Sequence, residues 1–245
     1  MADSHDTLRA QLSELTGMLL SSETLEATLG HVAEIAVRAI PACDGAGVSL
    51  FEGDKLRTAA ASSPFVQRVD AMQYSSGEGP CLDTIRTGEA RRTDRLDEDP
   101  RWPKFGPSAV AEGLVSCLAL PLTIGNHGTA GALNLYSESR PFQETDEAIA
   151  NRFVGPASVT VANAHAYAKA QELSEQLHEA LESRDIIGQA KGIIQAREGS
   201  TAAQAFERLR LISQHRNVKL RDVAKAVVDT PNDMLGNRPP GPAHP

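Results

Sequence analysis

Aromatic residues are few in this sequence: Phe, Tyr and Trp together make 4% of its 245 residues, with a single Trp. Cysteine is scarcer still. Cys43, Cys81 and Cys117 are an odd number, widely spaced and without a CxxC pair, which excludes a disulfide framework and a cysteine-based metal cluster. No apolar run approaches the roughly 20 residues that span a bilayer, so no membrane partner is expected. The opening stretch, MADSHDTLRAQL, has no basic start leading into an apolar segment, and a secretory signal is not expected. No glycine-rich phosphate loop and no Ser/His/Asp grouping stands out. The expectation is a soluble, reduced, cytoplasmic protein with no catalytic and no metal-ligating residues.

What the sequence does have is enough apolar content for a packed core, at 41%, and an uneven charge. Residues 1–182 hold 14 Lys+Arg against 26 Asp+Glu, a net of −12, whereas residues 183–226 hold 9 against 4, a net of +5. A small basic segment carried by an acidic chain points to an anionic partner for that segment alone. Ordinary surface charge is the competing reading, and charge alone does not separate the two.

The periodicities divide the chain. Residues 7–40 read as two helices, the second with Leu25, Leu29, Val32, Ile35, Ala36 and Ile40 on one side, Ser21 or Ser22 as its N-cap, and Pro41 as its stop. GAGVSLFEG alternates Val48 and Leu50 against Ser49, as a strand does, and KLRTAAAS reads as a weaker strand. VSCLALPLTI and TAGALNLYSE flank GNHG as a hairpin. Helices, a hairpin, a long middle segment and a second hairpin fit an α+β domain with an antiparallel sheet. The middle segment, residues 64–113, lacks strong periodicity and is the part expected to face a ligand. Within it, SSGEGPCLDTIRTGE reads as a turn feeding a short helix, with Pro80 at its first position and Gly88 just past its end. Trp102 lies between Pro100 and Pro103.

Residues 20–165 resemble a GAF domain of the type common in actinobacterial regulators. The resemblance is carried by GEGPC (77–81), RTGEARRTDRL (86–96), DPRWPKF (99–105), the LALPL strand and GALNLYS. It implies a sensory module that binds a small molecule between the sheet and the middle segment. Cys81, Trp102, Phe105 and Cys117 are the candidates to line that site. The NKxxFDE-type sequence of cyclic-nucleotide-binding members is absent, so the cofactor or ligand stays unknown. Cys81, at a helix N-terminus, could be a redox sensor through a stabilised thiolate, or a buried inert thiol. His31 and His127 could ligate haem, or sit on a helix surface and a hairpin turn.

From PFQETDEAIANRF the chain reads as helix nearly to residue 198, with a kink at Gly155-Pro156. Ala166, Ala170, Leu173, Leu177 and Ala180 follow the three-four spacing of a coiled coil over residues 166–182, which predicts a homodimer. Beyond it, Ile186, Ile187, Ala190, Ile193 and Ile194 form an apolar stripe. Arg184, Gly188, Lys191 and Gln195 form a second stripe that continues the coiled-coil face and turns it from apolar to cationic. Gly188 and Gly192 each cost about 1 kcal/mol relative to alanine in a helix interior. They either permit close packing of another helix or leave room for an outside molecule to approach.

Two further helices follow. Thr201 and Gln204 have the spacing of a capping box, ahead of an apolar line through Ala205, Leu209 and Ile212. KLRDVAKAVVD places Leu220, Val223, Ala224, Val227 and Val228 on one face, and Pro231 ends it. Residues 231–245, rich in proline, read as a disordered tail. Residues 1–19 are the N-terminal helix.

LESRDIIGQAKGIIQAREGSTAAQAFERLRLISQHRNVKLRDVAKAVV, residues 181–228, resembles an ANTAR domain, whose segments SRDIIGQAKGII, AFERLR and KLRDVA appear in order. The domain is assigned to residues 183–230. The resemblance implies a dimeric RNA-binding module that binds paired stem-loops in nascent transcripts and prevents a terminator from forming. The residues expected to meet RNA are Arg184, Gly188, Gln189, Lys191 and Gln195 on the first helix, with Arg216, Lys219 and Arg221 around the last turn. Phe206, the one aromatic of the module, is expected in its core, which leaves no platform for stacking bases. The competing function is a sensor whose helical output binds protein or DNA.

Overall fold

The computed structural model describes residues 9–11, 13–15, 17, 24–52, 55–123 and 129–235. The candidate caps Ser21 and Ser22, the hairpin turn with His127 and the tail beyond residue 235 lie outside the described residues. The chain divides into two compact units, residues 1–169 and 170–245.

The first unit is built on five antiparallel strands in the order β2-β1-β5-β4-β3. These are β1 (Gly45–Glu52), β2 (Lys55–Ala61), β3 (Arg91–Thr93), β4 (Ser116–Thr123) and β5 (Thr129–Ser137). The central pairing sets Val48 opposite Leu133, and Leu118 opposite Leu135. Period-two alternation gives the sheet two different faces. Val48, Leu50, Leu118, Leu120, Leu122, Leu133 and Leu135 pack on one side against helix α1 (Leu25–Ala39) and against Ala150, Phe153, Ala157 and Val161. The other side carries Ser49, Thr58, Asn134 and Tyr136, and α2 (Pro64–Ser76) and α3 (Pro80–Thr87) lie over it.

The N-cap of α1 is Thr24, not Ser21 or Ser22: the Thr24 hydroxyl accepts from Ala27 N at 3.2 Å. Each of the three residues is an acceptable cap by type, and the helix starts at the one that immediately precedes Leu25. The middle segment holds three helices, α2, α3 and α4 (Phe105–Ala111), besides the edge strand β3. Helices α2 and α3 each begin with proline and end on a glycine in the left-handed region, Gly77 at φ 74° and Gly88 at φ 72°, as the cap preferences dictate. Strand β3 is short and charged. Arg92 reaches Glu147 at 2.7 Å and Arg91 reaches Glu89 at 2.9 Å, which suits an unpaired sheet edge.

Helix α5 runs from Glu144 to Glu198 and continues through Pro156. Its residues from 170 onward belong to the second unit with α6 (Ala202–Arg216), α7 (Leu220–Asp229) and the single-turn α8 (Pro231–Leu235). Residues 231–235, read from sequence as part of a disordered tail, are helical, and Met234 and Leu235 pack on the core of this unit. The core itself is Ala190, Ile194, Ala205, Leu209, Val223, Ala224 and Val227. The capping box is formed in full: Gln204 N donates to the Thr201 hydroxyl and Thr201 N to Gln204 Oε1 at 2.9 Å. Asn217 at φ 51° closes α6, a left-handed position that asparagine tolerates.

Candidate functional site

In the second unit, the apolar stripe of α5 turns Ala190 and Ile194 into the core and leaves Gly188 and Gly192 exposed. A Cβ on either glycine would meet nothing within 4 Å. Neither glycine therefore packs against another helix among the described residues of this chain. Arg184 and Lys191 flank Gly188, one turn before and one turn after it. Seven residues of α-helical rise set them about 10 Å apart along the axis. Together with Ala180, Ile187 and Phe206 of α6, these three residues line an open groove of about 510 Å3.

Phe206 corrects the sequence reading. It is 39% exposed rather than core. The buried line of α6 runs through Ala205 and Leu209, and Phe206 stands about 100° round the helix from Ala205, at the flank of the buried face. Its ring therefore completes the groove instead of filling the bundle.

The expected RNA-facing cations differ in their partners. Among the described residues no carboxylate pairs with Arg184, Lys191 or Lys219 within 4 Å. Arg221 instead forms an ion pair with Glu179 and lies 3.7 Å from Asp222. Arg208 and Arg210 face Glu198 and Glu207. Arg216 places Nη1 3.2 Å from the Met234 sulfur, and it shares a shallow hollow with Arg208, Ile212 and His215. Lys219 is the N-cap residue of α7. Gln189 is exposed, Gln195 is half-buried, and neither lines the groove. Of the expected RNA-facing residues on α5, the two cations, Arg184 and Lys191, thus both lack a carboxylate partner among the described residues, and they lie on either side of the open glycine.

On α5, Leu173, Leu177 and Leu181 are each more than half exposed. Their spacing keeps them on one face, which continues into Arg184 and Gly188.

In the first unit, the residues expected to line a ligand site are core. Cys81, Trp102, Phe105 and Cys117 are between 0 and 1% exposed. Trp102, Phe105 and Cys117 pack with Val66, Val69 and Leu114. The Trp102 indole N–H donates to Asp83 at 2.7 Å, and the Arg101 guanidinium lies 4.2 Å from the centre of its ring. The helix N-terminus at Cys81 does not give a stabilised thiolate: burial pushes the thiol up to about 12, and the Asp70 charge adds to this. A thiol held protonated at neutral pH is a poor nucleophile and a poor redox sensor. His31 lies exposed on α1, and among the described residues no group of three or more His, Cys, Asp and Glu side chains could hold a metal ion.

What the sequence reading missed is a polar network beneath α2 and α3. Asp70 is fully buried. Its carboxylate accepts from Thr58 Oγ1 at 2.7 Å, from Asn134 Nδ2 at 3.0 Å and from the Tyr136 hydroxyl. Gln73 Nε2 donates to Tyr136 at 2.8 Å, and Gln73 Oε1 accepts from Cys81 N at 2.8 Å. Tyr74 and Ser49 share a hydrogen bond of 2.6 Å. Asn134 Oδ1 is buried without a hydrogen-bond partner. Burial raises the Asp70 carboxyl to about 6, against the pull of its three donors. Polar residues alternating with leucine in LNLYS were the available signal.

The comparisons with known proteins follow these two units. Residues 22–162 match the profile of the GAF domain, and residues 175–228 match that of the ANTAR domain, in that order. Among solved structures, the GAF domain of a phosphoenolpyruvate-protein phosphotransferase from Coxiella burnetii is 19% identical, covering 68% of this chain and 97% of its own, at a TM-score of 0.52. The corresponding domain from Acinetobacter is 17% identical, covering 68% and 96%, at 0.50. The free methionine-R-sulfoxide reductase of Neisseria meningitidis, solved with its substrate, is 18% identical, covering 65% and 91%, at 0.50. At these identities the likeness is one of fold. No curated protein matches the chain significantly. With a match extending over more than half its length, the chain belongs to the GAF domain family, and it carries an ANTAR domain after the GAF domain.

Proposed function

We propose that this protein is a ligand-regulated RNA-binding antiterminator. Its GAF domain senses a small-molecule signal, and its ANTAR domain binds stem-loop RNA in nascent transcripts. The observation that carries this reading is the pair of cations, Arg184 and Lys191, on either side of Gly188, where among the described residues no carboxylate pairs with them and no side chain obstructs approach. Phosphate is the group that such a pair would meet, and its neutralisation is the main source of non-specific RNA affinity. Arg216, Lys219, Gln189, Gln195 and Arg221 are secondary contacts in this reading; Arg221 would first have to leave Glu179.

The protein acts as a homodimer paired along Leu173, Leu177 and Leu181. Those leucines are more than half exposed in the single chain, and an apolar face of that length on a helix calls for a partner helix. It has no enzymatic role. Helix α5 and the others described are not long and apolar enough to cross a membrane, and the site of action is the cytoplasm, where transcripts are made.

The test is to crosslink the full chain to RNA in cells and sequence what is recovered, alongside an Arg184→Ala/Lys191→Ala variant. Enrichment of stem-loop leader sequences by the native chain, lost in the variant, is the expected result. Equal enrichment of RNA by both would move the RNA contact away from Arg184 and Lys191, and the absence of any enriched RNA would return the output domain to the competing function.

A further inference from the structure

We propose that Phe206 is a stacking platform for one unpaired base of the bound RNA, with Arg184 and Lys191 holding the phosphates that flank it. This rests on the RNA-binding reading above and adds a base-recognition element that the phosphate contacts do not supply.

Three observations meet at this place. Phe206 is 39% exposed, although the apolar core of its own unit lies next to it. The groove it completes has apolar ground at Ala180 and Ile187 and open backbone at Gly188. Its charged lining is cationic throughout: Arg184 and Lys191 contribute, and no carboxylate does. A nucleotide within an RNA strand combines the matching properties. Its base has a flat π-face that gains from an aromatic ring, and its sugar carries a phosphate on each side. Base-aromatic stacking is tolerant of sequence because every base has such a face. Unpaired loop bases can turn outward to reach a ring, whereas paired bases cannot. A glycine at the centre of the wall lets the sugar-phosphate chain come within contact distance of the helix backbone while the base reaches the ring. A second copy of this chain would place its own cations against Arg184 and Lys191, which disfavours that occupant.

The experiment uses the full chain and an RNA selected by binding to it from a pool of hairpins with randomised loops. Single 2-aminopurine and single abasic substitutions are then placed along the selected loop. Phe206→Leu and Phe206→Tyr are compared with the native chain by affinity, salt dependence and 2-aminopurine emission. At one loop position, emission should fall on binding to the native chain and to Phe206→Tyr but not to Phe206→Leu. Phe206→Leu should weaken affinity roughly 5- to 150-fold, the range for one stacked base, with its salt slope unchanged. Removing the base at that position should weaken the native chain by a similar factor and leave Phe206→Leu where it was. If Phe206→Leu binds like the native chain, or weakens binding equally whichever base is absent, the platform is refuted. If sedimentation shows that Phe206→Leu changes the oligomeric state instead, the groove is a contact between copies and the inference is wrong. Should the pool yield no binding RNA, the RNA reading fails beneath it, an outcome distinct from selected RNA whose affinity ignores Phe206.

Discussion

Asn134 donates its amide to the Asp70 carboxylate at 3.0 Å inside the GAF core, while its own Oδ1 is buried without a partner. A half-satisfied buried network is costly, and this one contains an ionisable group. The Asp70 carboxyl is raised to about 6 from an ordinary 3.8, with burial as the main cause. A folded-state value above the unfolded one means that the folded protein holds this proton more tightly. Its contribution to stability is therefore complete below about pH 4 and is lost as pH rises through about 6.

A shift of about two units corresponds to on the order of 3 kcal/mol. Stability of the GAF domain should accordingly fall between pH 4 and 6.5. Trp102, the sole tryptophan and 1% exposed, reports this unfolding by fluorescence. Asp44, Asp99 and Asp146 have lowered values, so their contributions are lost below the ordinary carboxylate range, outside this window. Asp70→Asn should flatten the profile between pH 4 and 6.5. A profile that rises with pH in that window would contradict the assignment.

The three cysteines should resist thiol reagents in the folded protein. Cys81 and Cys117 are 0–1% exposed and Cys43 5%, and burial raises all three thiols. Labelling with a small disulfide reagent at pH 8 should proceed at the rate of unfolding and become fast in denaturant. Rapid labelling of Cys81 in the native state would restore the redox-sensor reading.

The glycines give a prediction with opposite signs for stability and function. Alanine at either position meets no atom within 4 Å and favours helix by about 1 kcal/mol. Gly192→Ala and Gly188→Ala should each raise the melting temperature of the ANTAR unit. Gly188→Leu should also preserve the fold yet weaken RNA binding, because its side chain would enter the groove. Unfolding on Gly188→Leu would show that the glycine serves packing after all.

In the proposed homodimer the chains pair through Leu173 and Leu177. Leu173→Asp combined with Leu177→Asp should shift the protein toward monomer and weaken RNA affinity with it. Both side chains are more than half exposed, so the fold of a single chain should survive. An unchanged dimer by light scattering would place the contact elsewhere.

Much of the fold was legible because its signals are local. Val48 and Leu50 alternating with Ser49 announce β1, Pro80 and Gly88 bracket α3, and Thr201 with Gln204 opens α6. Helix α2 was not legible, because its buried face includes Asp70 and Gln73 besides Val66 and Val69, and polar residues on an inward face erase the apolar period. Strand β3 is three residues long and owes its form to pairing with β4. On the interface, the stripe of Arg184, Gly188 and Lys191 follows from helical geometry alone. The place of Phe206 at the flank of its helix also follows from its angle to Ala205; that it borders an open groove with residues of α5, and that Arg221 is occupied by Glu179, depends on how α5, α6 and α7 pack, which no single-helix projection contains.

If Arg184 and Lys191 meet phosphate, the salt dependence of RNA affinity reports both contacts. The slope of log affinity against log salt would be measured on one selected stem-loop RNA for the native full chain and for Arg184→Ala/Lys191→Ala. Each lost phosphate contact should reduce the slope by roughly 0.7 to 0.9, so the double variant should bind more weakly with a slope flatter by about 1.4 to 1.8. An affinity and slope equal to those of the native chain would show that this face of the helix does not touch RNA.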